Sequence, residues 1–230
     1  INNKKVGTET EYTEGGVSVR KSNYSQKESG EELIYYKSGA IKEKNIYRHG
    51  NLNGICQSFF ESGAVKEKNI YKNGGLEGLC QSYFESGVLK SEEMYTFNKL
   101  HGESKTYFKT GGLDTRYNYL DNKMHGDFEE YYETGELESL GKMDSDQKHG
   151  AFNSFYKSGV KRRYEYYTNG KTDEEQGKCF ATDGSDTTYF PRIIMPLING
   201  QPFNKEIVKI IKNNFEYPIV QREMGIQGRI

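Results

Sequence analysis

Three histidines that recur at one position are the first candidates for chemistry in this sequence. His101, His125 and His149 are 24 residues apart, and His49 lies near the equivalent turn of an earlier unit. A row of imidazoles could bind a metal ion or act as a pH switch. If each unit adds two strands to a sheet, neighbouring copies stand about 10 Å apart. Zinc ligands lie within about 2.1 Å of one centre, so we expect turn residues and no metal site.

The cysteines offer little redox chemistry. Cys56 and Cys80 also occupy equivalent positions, and Cys179 stands alone. A Cα separation of about 10 Å between the first two exceeds the roughly 7 Å limit for a disulfide. No Cys/His spacing typical of zinc is present. We therefore expect buried, free thiols.

Other motifs with catalytic or cofactor potential are incomplete. Gly170-Lys171-Thr172 is similar to the end of a phosphate-binding loop, but Glu165 stands where that loop needs its first glycine. Asp144 and Asp146 do not belong to a six-oxygen calcium loop. No Ser-His-Asp or Cys-His set stands out, so the sequence predicts a protein that is not an enzyme and has no cofactor.

Charge and hydropathy exclude further classes. The chain has 32 basic and 33 acidic residues, a net charge of −1, which gives no electrostatic reason to bind nucleic acid. No apolar run approaches the roughly 20 residues of a transmembrane helix. The 19 tyrosines and 26 glycines favour strands joined by tight turns.

A strict repeat supplies the elements that would position these residues. Two aromatic residues, any residue, Ser or Thr, and Gly recur every 24 residues, and two short strand-like runs fill each unit. This pattern predicts an all-β fold: an elongated single-layer antiparallel meander of 24-residue β-hairpin repeats. The recurring turn glycines, for which we expect positive φ, are Gly39, Gly63, Gly87, Gly111, Gly135 and Gly159.

Side-chain alternation separates two faces of the predicted sheet. Cys56, Ser58 and Phe60 share one face, which we expect to be packed, whereas Gln57 and Phe59 point to the other, wetter face. The candidate interaction surface on the wet face is the column Tyr83, Tyr107 and Tyr131. The alternative is that these rings only cover glycines and turns of neighbouring hairpins.

The repeat columns resemble the bacterial variant of the MORN repeat. Leu100-His101-Gly102 and Met124-His125-Gly126 carry the resemblance most clearly. It spans residues 11–184 after a lead-in over 1–10, with repeats starting near 11, 35, 59, 83, 107, 131 and 155, the last one degenerate. The resemblance implies an interaction module. Arrays of this kind have been labelled antitoxin-like, and eukaryotic relatives have been linked to lipids and membrane scaffolds.

The end of the chain differs in kind. After a linker over 185–202, residues 203–230 predict a short helix plus a strand, the helix carrying the apolar stripe Ile207, Ile210, Ile211 and Phe215. Tyr217-Pro218 and Gly225-Ile226-Gln227-Gly228 resemble the start of the TonB C-terminal domain. This resemblance implies a bacterial envelope. The helix and strand would cap the last hairpins or mediate self-association with a second copy.

The leading functional expectation is a non-catalytic protein-interaction scaffold of a bacterial cell envelope or periplasm, linked to TonB-type energy transduction. One alternative is an antitoxin-type inhibitor that binds a partner protein in the cytoplasm. The other is a lipid- or glycan-binding surface built on the aromatic column. The sequence leaves the partner unidentified.

Overall fold

The computed structural model describes residues 7–14, 18–24 and 29–189. These residues form one antiparallel sheet in which strands adjacent in sequence are adjacent in space. No helix occurs among them. The prediction of an all-β, single-layer antiparallel meander is confirmed. The predicted helix and strand over 203–230, and the candidate stripe within them, lie outside the described residues.

The strand bounds follow the 24-residue period over most of the chain. In order they are β1 (Gly7–Tyr12), β2 (Ser18–Tyr24), β3 (Gly30–Tyr35), β4 (Ile41–Arg48), β5 (Asn51–Leu52), β6 (Gly54–Phe59), β7 (Val65–Lys72), β8 (Gly75–Leu76), β9 (Gly78–Tyr83), β10 (Leu89–Thr96), β11 (Lys99–Tyr107), β12 (Leu113–Leu120), β13 (Lys123–Tyr131), β14 (Leu137–Asp144), β15 (Gln147–Phe155), β16 (Lys161–Thr168), β17 (Lys171–Phe180) and β18 (Asp186–Thr187).

Two boundaries differ from the sequence prediction. β1 begins at Gly7 and pairs with β2, so pairing starts inside the segment 1–10 that was expected to be a lead-in. β18 pairs with β17 through Phe180 and Asp186, inside the expected linker 185–202. Both are hydrogen-bonded edges of the sheet, where the sequence repeat is too degenerate to mark them.

One edge of the sheet is lined by turns that contain the recurring Ser/Thr-Gly. At Gly63 the backbone N–H donates to Phe60 O at 2.9 Å, and Phe60 N–H donates to Ala64 O at 2.8 Å. Gly63 has φ +88°, which a residue with a Cβ rarely adopts. Six such turns occur along this edge, and their glycines have φ values from +81° to +99°. They are Gly39, Gly63, Gly87, Gly111, Gly135 and Gly159.

The opposite edge is lined by two-residue turns with positive φ at both positions, which is type I′ geometry. Asn73 and Gly74 have φ +51° and +86°, and Lys72 pairs with Gly75 across them. Later turns keep this geometry without glycine, at Phe97–Asn98, Asp121–Asn122 and Ser145–Asp146.

These type I′ turns also tie each hairpin to the one before it. Asn122 N–H donates to Leu100 O at 2.9 Å, while Asn122 Oδ1 accepts from Leu100 N–H at 2.8 Å. Asp146 makes the same pair of contacts to Met124, at 3.0 Å and 2.8 Å. Neighbouring repeats are thus held together at this edge by two-point hydrogen bonding.

A second glycine column produces a bulge in each repeat. Glu93 pairs with Ser104 and Tyr95 pairs with Leu100, so Met94 alone faces three residues of β11. Gly102, in this bulge, has φ +105°. The Met94 Cγ lies 3.4 Å from where a Cβ of Gly102 would stand. The glycine therefore gives the strand its bend and the neighbouring side chain its space.

The last hairpin has one extra residue. Ser139 pairs with Ser154, but one repeat later Arg163 pairs with Cys179, one position beyond the 24-residue register. The final turn still closes like the earlier ones, with Gly184 at φ +85° and its N–H donating to Ala181 O at 2.9 Å. This half repeat corresponds to the degenerate last unit.

Burial distinguishes the two faces. We call face A the one that carries Cys56, Cys80, Ser104 and Phe152, which are 4–7% exposed, and face B the opposite one. On β16 the side chains alternate between buried on face A and half-buried on face B. The expectation that the small-plus-aromatic face is the packed one is confirmed.

Candidate interaction surfaces

The predicted tyrosine column lies on face B, and each of its rings is half-buried. The hydroxyls of Tyr83, Tyr107 and Tyr131 donate to Gln81 Oε1 at 3.0 Å, Glu92 Oε2 at 2.9 Å and Glu129 Oε2 at 2.5 Å. Burial, and then the bond to Glu92, raises the pKa of Tyr107 to about 12. These hydroxyls are engaged within the sheet, so the column offers ring surface to a partner and few polar anchors.

An ion pair sits beside this column. Arg116 Nη2 lies 2.5 Å from Glu129 Oε1. This hydrogen bond, together with that from Tyr131, holds the pKa of the Glu129 carboxyl below its usual value against the opposing effect of burial. The pair links β12 to β13 on face B, where Arg116 and Glu129 are direct cross-strand partners.

The sequence analysis missed an aliphatic row on face B. The row consists of Ile46, Ile55, Ile70, Leu79 and Met94, one residue from each of β4, β6, β7, β9 and β10. Ile55 faces Ile70 and Leu79 faces Met94 as direct cross-strand partners. Ile55, Leu79 and Met94 are 44%, 37% and 37% exposed, so the row is a contiguous apolar surface in contact with solvent.

The row ends abruptly at β11. Equivalent positions in the next two repeats are Glu103, Asn118, Asp127 and Lys142, and in the last repeat they are Ala151 and Tyr166. In β4 and β7 the side chains on the same face beside the row are cationic: Lys44, Arg48, Lys68 and Lys72. The row on face B is therefore aliphatic with basic flanks from β4 to β10, and its positions are polar or charged from β11 to β14.

Phe97 stands at the turn next to this row. It is 79% exposed and has φ +49°, an unfavourable conformation for a bulky side chain. Its N–H donates to Glu77 Oε2 at 2.9 Å, which holds the turn in place. The equivalent residues of the neighbouring turns are Asn73 and Asp121. The turn geometry therefore does not require an aromatic residue at this position.

Face A has a second candidate surface, an aromatic cleft near the end of the array. Its floor is a row of rings, with centroid separations of 5.1 Å for Tyr117–Phe128, 5.8 Å for Phe128–Phe152 and 5.2 Å for Phe152–Tyr167. Of these rings, Tyr117, Phe128 and Phe152 line a cleft of about 320 Å³ together with Met124 and Met143. The row is continuous because Gly141 leaves space for the Phe152 ring, which lies 2.6 Å from a hypothetical Cβ.

Polar groups in the cleft are largely paired with one another. Arg163 Nη2 lies 2.8 Å from Glu165 Oε1, and both side chains are at most 7% exposed. Ser139 donates to Glu130 at 2.8 Å. The hydroxyl of Ser154, which also lines the cleft, is buried without a hydrogen-bond partner.

The histidine and cysteine candidates are kept apart by the fold. His101 and His125 each lie near an aspartate, with Nδ1 3.8 Å from Asp121 Oδ1 and 3.3 Å from Asp144 Oδ1. Within the described ranges no group of three or more potential ligands gathers around a point. Cys56, Cys80 and Cys179 are buried and free, and burial raises the pKa of the first two thiols.

The repeating unit is a 24-residue hairpin that contains a Ser/Thr-Gly turn, a glycine bulge and a type I′ turn. Three segments of the chain match the MORN repeat variant. They are residues 52–73, 76–96 and 124–143, each running from the Leu or Met before the bulge toward the next type I′ turn. MORN repeats are generally associated with scaffolds that interact with proteins or membranes. No curated protein matches the chain.

None of the described residues forms a helix long and apolar enough to cross a membrane.

Proposed function

We propose that this chain is a non-catalytic scaffold that binds a partner protein through face B of its MORN repeats between β4 and β10. The observation that carries the proposal is the aliphatic row Ile46, Ile55, Ile70, Leu79 and Met94. Apolar side chains on five consecutive long strands form a patch, and such patches on a soluble surface mark interaction sites.

Charge indicates the chemistry of the partner. Lys44, Arg48, Lys68 and Lys72 flank the row, and among them Lys44 is paired with Glu31 at 2.7 Å. An apolar ridge bordered by acidic side chains would complement this surface, because opposite charges at the rim steer association and fix its register. Tyr83 and Tyr107 extend the same face with half-buried rings.

A single substitution in the aliphatic row, compared with the same substitution one repeat later, tests whether the partner binds this surface. Met94→Glu places a carboxylate in the row, whereas Asn118→Glu places one at the same repeat position in the next unit. In the native cells, cross-linking followed by mass spectrometry should recover a specific partner with the wild type and with Asn118→Glu. Recovery should drop at least about tenfold with Met94→Glu, since a buried unpaired charge costs more than about 1.4 kcal/mol. Equal recovery with both variants would remove the row from the interface.

The cellular setting is part of the proposal. The resemblance of Tyr217-Pro218 and Gly225-Ile226-Gln227-Gly228 to the TonB C-terminal domain supports a bacterial envelope and a link to energy transduction. An antitoxin-type inhibitor would use the same face toward one dedicated partner in the cytoplasm. Fractionation of the native cells distinguishes the two: the protein is expected with the envelope, and recovery from the cytoplasm would favour the inhibitor.

Phe97 favours a second candidate, a lipid surface. An exposed aromatic ring beside lysines and aliphatic side chains is a combination that inserts at the headgroup boundary of anionic bilayers. Sedimentation with phosphatidylglycerol vesicles tests it, with phosphatidylcholine vesicles as the control. Binding to phosphatidylglycerol vesicles but not to phosphatidylcholine vesicles, together with loss of that binding in Phe97→Ser, would favour a membrane surface. If the protein binds neither kind of vesicle, the protein partner remains the proposal.

A further inference from the structure

Tyrosine hydroxyls join neighbouring turns along the Ser/Thr-Gly edge near both ends of the array. The Tyr36 hydroxyl donates to Phe59 O at 2.8 Å, from one turn to the next. Tyr132 and Tyr156 each donate in the same way to a carbonyl beside the following turn, both at 2.8 Å. We call each such bond a tyrosine tether. It connects two turns independently of the backbone hydrogen bonds between strands.

The middle repeats cannot form this bond, because phenylalanine occupies the equivalent position and has no hydroxyl. These positions are Phe60, Phe84 and Phe108. Phe60 and Tyr83, whose carbonyl is the equivalent acceptor, both line a cleft of about 270 Å³, so there is room for the missing group. The exposed Thr110 hydroxyl donates to Glu133 Oε1 at 3.3 Å, which is a longer bond between two solvent-exposed side chains. The middle turns are therefore joined more weakly than the turns near the ends.

The type I′ edge is bonded most strongly in these same middle repeats. There the second residue of each turn bonds twice to the preceding hairpin, as described above for Asn122 and Asp146. Asn98 also does so: its N–H donates to Leu76 O at 3.1 Å, and its Oδ1 accepts from Leu76 N–H at 2.6 Å.

Towards the ends of the array, glycine takes the second position of the type I′ turn and has no side chain to accept a second bond. Gly74 N–H donates to Leu52 O at 2.8 Å, and Gly170 N–H donates to Lys148 O at 3.1 Å. The two kinds of connection thus alternate between edges. Repeats near the ends are joined by tyrosine tethers at the Ser/Thr-Gly edge, and the middle repeats are joined by two-point bonds at the type I′ edge.

We propose that the array bends in its middle by local opening at the Ser/Thr-Gly edge, while the type I′ edge stays closed. The turns that open most readily are 84–88, 108–112 and 132–136, which receive no tether. The aliphatic row lies beside the closed edge, since Met94 stands three residues before Phe97. The tyrosine column lies beside the turns that open. A partner that contacts both the row and the column selects one curvature of the sheet; this consequence rests on the proposed function, whereas the bending does not.

Turns 60–64 and 84–88 allow a matched comparison within the wild-type chain. They read Phe-Glu-Ser-Gly-Ala and Phe-Glu-Ser-Gly-Val, and in each the glycine N–H donates to the phenylalanine carbonyl at 2.9 Å. The first turn receives the tether from Tyr36 and the second receives none. Amide hydrogen exchange in the free full chain, measured by NMR, should be about two- to tenfold faster at Gly87 than at Gly63, the range that one net hydrogen bond gives. Equal rates, or slower exchange at Gly87, would overturn the proposal.

Two reciprocal substitutions move the tether. Tyr36→Phe removes it from turn 60–64 and should raise the exchange rate at Gly63 about two- to tenfold. Phe60→Tyr supplies a hydroxyl for Tyr83 O and should lower the rate at Gly87 by a similar factor. Tyr35→Phe, the same change one residue earlier and on face B, is the control and should leave both rates unchanged. The proposal fails if either glycine responds no more than it does to Tyr35→Phe.

Pulsed electron paramagnetic resonance measures the bending itself. Nitroxide-bearing residues at positions 62 and 134 probe the Ser/Thr-Gly edge, and a pair at 73 and 145 probes the type I′ edge. Both pairs span three repeats, or about 30 Å. The distance distribution should be broader for the first pair, and the combined Phe60→Tyr, Phe84→Tyr and Phe108→Tyr variant should narrow it toward that of the second pair. Equal widths in the wild type, or an unchanged width in the combined variant, would refute bending at this edge.

Discussion

Gly141→Ala should destabilise the protein although it adds a single methyl group. A Cβ at this position would stand 2.6 Å from Phe152 Cδ1 and Cε1 and 2.7 Å from Cγ, so the ring must move. Phe152 is 6% exposed and lies between Phe128 and Tyr167 at centroid separations of 5.8 Å and 5.2 Å. The neighbouring rings therefore limit how far the Phe152 ring can shift along the row.

The magnitude follows from two opposing contributions. Overpacking of this kind costs about 1–3 kcal/mol. Replacing glycine by alanine regains about 0.4–1 kcal/mol from the lower conformational entropy of the unfolded chain. The net loss is about 1–2 kcal/mol, which corresponds to a fall in Tm of about 2–8 °C for a chain of this size.

Urea- and heat-induced unfolding followed by circular dichroism measures this loss. Gly112→Ala is the matched control, because a Cβ at Gly112 would have Glu133 O as its nearest neighbour at 3.7 Å. The stability of this variant should not fall and should rise by about 0.4–1 kcal/mol. Adding Phe152→Leu to Gly141→Ala should recover part of the loss, with a coupling energy above about 0.5 kcal/mol. Unchanged stability in Gly141→Ala would refute the packing of Phe152 over this glycine.

Three further outcomes are expected. Asn122→Ala removes the side-chain acceptor of a backbone N–H in the preceding repeat and should cost about 1 kcal/mol in urea unfolding; a loss below about 0.3 kcal/mol would contradict the two-point contact. Arg116→Gln should cost less than about 1 kcal/mol, since the cation is 40% exposed. The pKa of the Glu129 carboxyl is lower in the folded protein than its ordinary value near 4.5. The stabilisation by the Arg116–Glu129 pair is therefore complete above the unfolded-state pKa and is lost as the pH falls through the folded-state pKa. The difference in stability between wild type and Arg116→Gln should vanish in acid. Cys56 and Cys80 should remain free thiols under oxidising conditions, and mass spectrometry showing them linked within one chain would contradict the strand register.

The architecture could be predicted from the sequence because residues within each repeat determine where its turn and its bulge lie. A Ser/Thr-Gly turn and a second glycine recur with one period, and each has a conformation that glycine adopts without strain. The type I′ turns were harder to recognise, since Phe97–Asn98 and Ser145–Asp146 contain no glycine. Their geometry is set by hydrogen bonds to the preceding hairpin, which a single repeat does not reveal.

The candidate surfaces depend on contacts between repeats, so most of their detail could not be predicted from the sequence. Side-chain alternation predicts that the tyrosine column lies opposite the packed face, and it does lie on face B. The acceptors of its hydroxyls, Gln81, Glu92 and Glu129, occupy no single column of the repeat. The aliphatic row could have been found from the residues eight positions before each bulge glycine, Ile46, Ile70 and Met94. The cleft follows from Gly141, where one glycine replaces the larger side chains found at that position in other repeats.

The hydrogen bonds between strands give the array a direction-dependent response to force. They run perpendicular to the strands, and therefore along the axis on which repeats follow one another. Tension applied between the first and last hairpins loads one strand at a time, so the sheet opens by unzipping rather than by shearing many bonds together. Each freed repeat exchanges about 10 Å of stacked sheet for about 80 Å of extended chain. Under such tension the described sheet would lengthen in steps of about 70 Å, one repeat at a time.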